Sequence, residues 1–137
     1  MTLTILITIL SLRLTAPIDV SIVIGKDESI QPYEAIWKAV CKVESGGNPY
    51  AIGDRHMKHY SYGIAQIRQE RLNDYNRQTG NNYKLTDMFD VTLSKKVFMY
   101  YASQYDTHKI DEMIRAWNGS GKQTYIYLHK VKQCIER

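Results

Sequence analysis

The sequence is poor in the residues that usually mark special architecture. Three prolines and eight glycines among 137 residues leave no low-complexity tract, and no repeat is visible. With 44% hydrophobic and 23% charged residues, this excludes a disordered chain. There are two cysteines, Cys41 and Cys134, and neither Cys-x-x-Cys nor a Cys/His zinc spacing. In an exported protein the two can pair in one way only, tying the first helix to the last. The alternative is two buried free thiols. His56 and His59 lack a third ligand at suitable spacing, which leaves them as exposed loop residues. The net charge of +4 is mild. It favours anionic surroundings, cell wall or nucleic acid, without choosing between them. No basic-aromatic patch is clustered, so nucleic-acid binding has little support. The runs Lys95-Lys96 and Lys130 to Lys132 read as solvated helix faces.

The length allows one domain with one core. Thr2 to Leu12 is apolar but too short for a confident membrane span. It fits the apolar part of an export signal with Thr15-Ala16 near a cleavage site, although no positive charge precedes it and Pro17 follows. It fits an apolar N-terminal strand or helix as well. We read residues 1–25 as a leader or export segment with a linker, and residues 26–137 as the folded domain. Ile18 to Ile24 is β-branched and suits a short strand. Tyrosine is abundant, at eleven residues. Its apolar face and polar tip suit a sugar- or base-binding groove, though most of these rings are expected at the edge of the core.

Helices dominate the rest. Pro32 suits a first helical turn, and Ile36, Ala39, Val40 and Val43 recur at helical spacing up to Glu44, with Trp37 and Cys41 widening the stripe. Gly46-Gly47 and Pro49 end that helix. Ala51 to Asp54 and Ser61 to Ile67 read as two short extended pieces around a polar insert, Arg55 to Tyr60, forming an irregular hairpin that can wall a site. Gln69 to Thr79 is a polar helix. Asp90 is placed as the N-cap of a helix over 91–105, with Leu93, Val97, Tyr100 and Tyr101 inward. A helix over 109–117 carries Ile110, Met113, Ile114 and Trp117 on one side. After the turn Asn118 to Gly121, a last helix over 123–135 presents Ile126, Tyr127, Lys130, Val131 and Cys134.

Glu44 carries the chemical interest. It follows an apolar stripe and stands just before a break. Burial disfavours a charged carboxylate and raises its pKa. Such a carboxyl stays protonated near neutrality and can donate to a leaving oxygen, the general-acid task in glycoside cleavage. On position alone, a surface glutamate at a helix C-terminus is the simpler reading.

Four motifs change the balance. Glu44-Ser45-Gly46-Gly47-Asn48-Pro49, Tyr62-Gly63-Ile64-Ala65-Gln66-Ile67, Ala116-Trp117-Asn118-Gly119 and Tyr127-Leu128-His129-Lys130-Val131 stand in the order found in the soluble (SLT) type of lytic transglycosylase. The chain resembles that family, which shares its fold with goose-type lysozyme, over about residues 32 to 135. The resemblance implies a mainly α, lysozyme-like domain with a small irregular β flap. It implies a peptidoglycan lytic transglycosylase that cleaves the MurNAc-GlcNAc β-1,4 bond and leaves 1,6-anhydro-muramyl ends. By resemblance Glu44 is the single acid/base and Tyr127 orients it. Ser45 lies near the sugar. Gln66 and the backbone at Gly63 and Ile64 hold sugar substituents, Gly63 letting the sugar come close, and Asn118 shapes the site beneath Glu44. No cofactor or metal ion is called for. Peptidoglycan strands are the expected partner, met by a monomer in the periplasm or cell wall, or on a virion if phage-encoded. Secretion, conjugation and phage entry all use such single-domain enzymes.

The chain departs from the family at three points. Ala65 replaces a larger residue, which can widen a subsite. Trp117 replaces a tyrosine and is expected in the core. The chain also reads as a bare catalytic domain. Asp54, a turn residue in Gly53-Asp54 on the simpler view, is the candidate second carboxylate. Facing the same cleft, it can activate water and make the enzyme a muramidase hydrolase. A non-catalytic glycan-binding cell-wall protein is the reading of a different class.

Overall fold

The structure, a computed structural model, describes the backbone of residues 20–136 and the side chains of residues 33–136. The segment Thr2 to Leu12 and the Thr15-Ala16 site lie outside the described residues. The chain divides between Gln31 and Pro32. Of the first unit, the described part is helical backbone. The second unit, Pro32 onward, holds everything discussed below.

Helix α1 spans Val20–Ser45 and starts well before Pro32. The β-branched run expected as a strand is therefore helical from Val20 on, and so is the described end of the segment to residue 25 expected as leader and linker. β-Branched residues favour a strand only where a neighbouring strand can pair. The small sheet of this fold is made from three later strands that pair with each other. The C-terminal part of α1 buries Ile36, Trp37, Ala39, Val40 and Cys41, the expected stripe, with Val43 at its margin. The helix stops where the chain takes two positive φ values, +68° at Gly46 and +87° at Gly47. The Gly47 amide donates back to the Cys41 carbonyl at 3.1 Å and the Gly46 amide to Lys42 at 3.0 Å, satisfying carbonyls the helix end would leave free.

The flap consists of β1 (Ile52–Gly53), β2 (Ser61–Tyr62) and β3 (Ile67–Arg68), antiparallel in that order. Ile52 pairs with Tyr62 and Gly53 with Ser61, while Ser61 also pairs with Arg68 and Tyr62 with Ile67. The third strand was not separable in the sequence, because two-residue strands show no alternation. The polar insert Arg55 to Tyr60 is exposed throughout.

Four helices complete the unit among the described residues. α2 (Gln69–Thr79) buries Leu72 and Tyr75 and ends at Gly80 in the left-handed conformation. A 3₁₀ turn, Leu85–Phe89, buries Met88. α3 (Val91–Ala102) is capped by Asp90, whose Oδ1 accepts from the Leu93 amide at 3.0 Å. It ends earlier than expected, and its deepest residues are Ser94, Val97, Phe98 and Ala102. Leu93, Tyr100 and Tyr101 form the partly buried flanks. α4 (Ile110–Asn118) buries Met113, Ile114 and Trp117. α5 (Gln123–Ile135) packs against α4 and buries Thr124, Tyr127 and Val131. Ile126 and Lys130, expected inward on α5, are exposed. Helical spacing that puts Tyr127 and Val131 inside carries those two positions to the outer side. Most tyrosines sit at the core edge as expected. Tyr75 and Tyr127 are buried, and Tyr50, Tyr60 and Tyr125 are exposed. Cys41 and Cys134 are both free thiols, and burial pushes the Cys41 thiol up to about 12. The result is a mainly α domain with one small sheet inserted after its first helix, the architecture expected.

Candidate active site

The Gly46-Gly47 break leaves Glu44 in the last turn of α1, facing a cleft of about 340 Å³. Its walls are Glu44 from α1, Asp54, Ser61, Gln66 and Arg68 from the flap, Arg71 from α2, and Trp117, Asn118 and Gly119 from the end of α4. Burial pushes the Glu44 carboxyl up to about 7, and the negative charge of Asp54 adds to the rise. Tyr127, Arg71 and Arg68 pull the other way and are outweighed. A carboxyl so placed is divided between its two protonation states near neutrality, which suits it to give a proton and then take one back.

Tyr127 reaches Glu44 from α5. Its hydroxyl is close enough to act on the carboxyl as a hydrogen-bonding group. The contact falls short of a well-formed hydrogen bond, however. The Tyr127 hydroxyl is the buried side-chain polar atom left without a full partner among the described residues. Burial and the neighbouring carboxylate both raise the phenol pKa, so the tyrosine is a neutral donor.

The flap is fastened by side chains rather than by its short ladders. The Ser45 hydroxyl donates to the Ile64 carbonyl at 2.8 Å and also lies 3.1 Å from that of Cys41, joining the end of α1 to the flap. Gln66 has φ +52° and uses both ends of its amide. Its Nε2 donates to the carbonyls of Gly63 (2.9 Å) and Ala51 (3.3 Å), and its Oε1 accepts from the Ser61 hydroxyl at 2.6 Å. Gly53 is small for the same reason, since a Cβ there would stand 2.0 Å from Gln66 Oε1. Gly63 has φ +79°, and a Cβ on it would stand 2.0 Å from the Met88 carbonyl oxygen. That packing alone demands glycine. Ala65, expected to widen a subsite, is fully buried in the core. The side chain one position after Ile64 turns inward, so its size sets packing rather than cleft width.

Of the expected residues, Glu44, Gln66, Asn118 and Asp54 come together as walls of one cleft, while Ser45, Gly63, Ile64 and Tyr127 lie behind or beside that wall. Asp54, at φ +56°, faces the cleft and is bound by Arg68, whose Nε and a terminal nitrogen stand 2.9 and 2.8 Å from Oδ2. Trp117 is in the core, as expected, edge-on to Phe98 with ring centroids 5.0 Å apart. It also shows part of its surface to the cleft. His56 and His59 are exposed, His59 standing 3.8 Å from Glu70.

Arg68, Arg71 and Ser61 were not singled out from the sequence. A signal was available for the arginines. They stand three residues apart across the start of a helix, which puts both on one face. Arg71 is the more deeply set. Its guanidinium carbon lies 4.0 Å from the centroid of the Trp117 ring and 5.4 Å from that of Tyr101, and it donates to the Ala116 carbonyl at 3.2 Å. Burial lowers its pKa from the usual arginine value. Arg68, Arg71 and Trp117 also line a larger cavity of about 510 Å³, bounded further by Glu70, Asp74, Tyr101, Tyr105, Met113 and Ala116.

A family model described as the transglycosylase SLT domain matches residues 21–126. No curated protein and no solved structure matches the chain. The matched span includes Glu44, the flap and the end of α4, and stops just before Tyr127. The chain belongs to the transglycosylase SLT domain family, with its lysozyme-like fold and its lytic transglycosylase activity on peptidoglycan.

Proposed function

From that membership, we propose that the chain cleaves the β-1,4 bond between N-acetylmuramic acid and N-acetylglucosamine, with Glu44 as its one acid/base. The observation that carries the reading is a partly buried carboxyl whose pKa is raised to about 7 in the cleft of an SLT domain. Protonated Glu44 gives its proton to the glycosidic oxygen as the bond to the anomeric carbon breaks. The acetamido group of the muramyl sugar stabilises the cationic centre. The Glu44 carboxylate then removes the proton of the muramyl 6-hydroxyl, whose oxygen closes on the anomeric carbon. A 1,6-anhydro end results, Glu44 is protonated again, and no water is consumed. Tyr127 supports this cycle as a neutral donor that tightens onto the carboxylate when it forms. Asn118 and Gln66 supply polar groups to the sugar at the cleft wall. In this reading Ser45, Gly63 and Ile64 act through the shape of the flap. The site works on the cell wall, in the periplasm or at the wall itself, and the enzyme acts as a monomer. Opening the wall for secretion, conjugation or phage assembly is a use consistent with a small domain of this kind.

One observation favours a second reading, a muramidase hydrolase: Asp54 lines the same cleft as Glu44. Against it, two Arg68 nitrogens engage Oδ2 of the Asp54 carboxylate, so that oxygen is already occupied where a water would have to be held. Mass spectrometry of fragments from purified peptidoglycan separates the two. Anhydro-muramyl ends are expected, and reducing ends would move the assignment to the hydrolase. Glu44→Gln is expected to abolish release of soluble fragments while circular dichroism stays that of the parent. Full lysis by that variant would remove Glu44 from the mechanism. A folded parent protein that binds wall without releasing fragments would make it a glycan-binding protein.

A further inference from the structure

Arg71 is a half-buried cation that forms no ion pair among the described residues. What holds it is neutral: the ring of Trp117, the ring of Tyr101 and the Ala116 carbonyl. A charge taken out of water in this way needs compensation nearby. The charges of the cleft show where it can come from. From the flap, Asp54 and Arg68 pair and cancel. From α5, the Tyr127 phenol is neutral. From α3 and the turn after it, the rings of Tyr101 and Tyr105 line the neighbouring cavity with Arg71, and from α2 itself Glu70 and Asp74 line it too, Asp74 paired with Arg77 and Glu70 standing 3.8 Å from His59. From α1, Glu44 shares the cleft with Arg71 and acts on it directly. Counting the side chains that line the cleft itself, one positive charge is uncompensated with Glu44 protonated. With Glu44 ionised none is.

We propose that Arg71 is a positioning residue that supplies the counter-charge for the Glu44 carboxylate formed when the proton leaves. It is held ready for that step by stacking on Trp117 and by its bond to Ala116. The two faces of this arrangement belong to different elements. The charge comes from α2, and its seat comes from the end of α4. Trp117, where the family more often has tyrosine, therefore acts as the platform for a guanidinium. Arginine suits the place better than lysine, because its planar, weakly hydrated group can stack and donate at the same time. The inference rests on the proposed role of Glu44 in cleavage, but its physical core is a coupling between two side chains that can be read without turnover.

The test follows the Glu44 carboxyl by ¹³C NMR titration of the full chain. Arg71→Gln is expected to raise its midpoint by about one unit, because a nearby cation has been removed from the ionised form. Arg71→Lys, which keeps the charge, is expected to remain closer to the parent. An unchanged midpoint in a folded Arg71→Gln protein would overturn the proposal. Should that variant not fold, the parent protein itself answers. The Arg71 Nε–H resonance must follow the Glu44 titration and lose that step in Glu44→Gln, and a resonance indifferent to Glu44 overturns the coupling. In wall-lysis assays the alkaline limb of kcat/KM moves upward in Arg71→Gln, since Glu44 then stays protonated to higher pH, while the rate at neutral pH falls about tenfold. A merely structural role would lower the rate without moving the limb. Lysis by Glu44→Gln would end the cleavage reading and leave the NMR coupling standing, so the two failures are distinct.

Discussion

At Gly63 the chain turns through φ +79° with the Met88 carbonyl oxygen where a side chain would begin. The motif resemblance placed this glycine against a sugar, and the packing gives a sufficient reason of its own. Met88 O already accepts from the Ser94 hydroxyl at 2.6 Å inside the core and is not free to yield. Gly63→Ala is expected to destabilise the protein by about 2 kcal/mol or more, through left-handed strain together with the clash. Urea unfolding should show the midpoint falling with an unchanged slope. Gly46→Ala serves as the comparison, because nothing lies within 4 Å of a Cβ there and only the positive φ opposes it. Its cost should be smaller. Residues of this kind explain why motif glycines are easy to notice and hard to interpret. The sequence shows that small size is required, but not which neighbour requires it.

The flap is the element whose stability depends most on single side chains. Its strands are two residues each, too short to hold themselves together. Gln66 bridges Ser61, Gly63 and Ala51 across it. Gln66→Ala is expected to remove about 1–3 kcal/mol, since it strands the buried Ser61 hydroxyl, while the Gly63 and Ala51 carbonyls keep their backbone donors, the Gln66 and Gly63 amides. It should also open the segment 48–66 to limited proteolysis well before the helices are cut. Equal resistance of parent and variant would show that the ladders suffice. The helices were legible where caps and periodicity agreed. Gly80, Asp90 and the Ile110, Met113, Ile114, Trp117 stripe placed α2, α3 and α4. They were less legible where a run can serve two structures. The β-branched Val20 to Ile24 became helix for lack of a pairing strand, and the inward side of α5 was set by Tyr127 and Val131 rather than by Ile126. The gathering of Glu44, Gln66 and Asn118 into one cleft followed motif order, and Asp54 joins them from the turn between the first two motifs. The arginines between them did not, because the seat of Arg71 is made by Tyr101 and Trp117, far away in sequence, and Arg68 is placed by its pairing with Asp54 across the flap.

For the molecule as a whole, Glu44 ties stability to pH. Its folded pKa of about 7 stands above the 4.5 of an unperturbed glutamate, so the folded state binds the proton more tightly than the unfolded chain does. Below the unfolded value both states are protonated and nothing is lost. As pH rises toward 7 the unfolded chain ionises first, and stability falls by up to about 3 kcal/mol before levelling above the folded pKa. Glu44→Gln should remove this slope, so the variant melts several degrees above the parent at pH 8 and close to it at pH 4.5. Parallel melting curves across that range would contradict the raised pKa. The joint made by Ser45 has a mechanical consequence beyond its energy. One serine hydroxyl fixes the flap to the helix turn that presents Glu44. The Asp54–Arg68 clasp closes the base of the insert Arg55 to Tyr60. The insert therefore hangs outboard of a hinge that the acid itself stands on. Lengthening or shortening it alters the reach of the overhang and leaves the acid's aim untouched, whereas any play at Ser45 alters both at once.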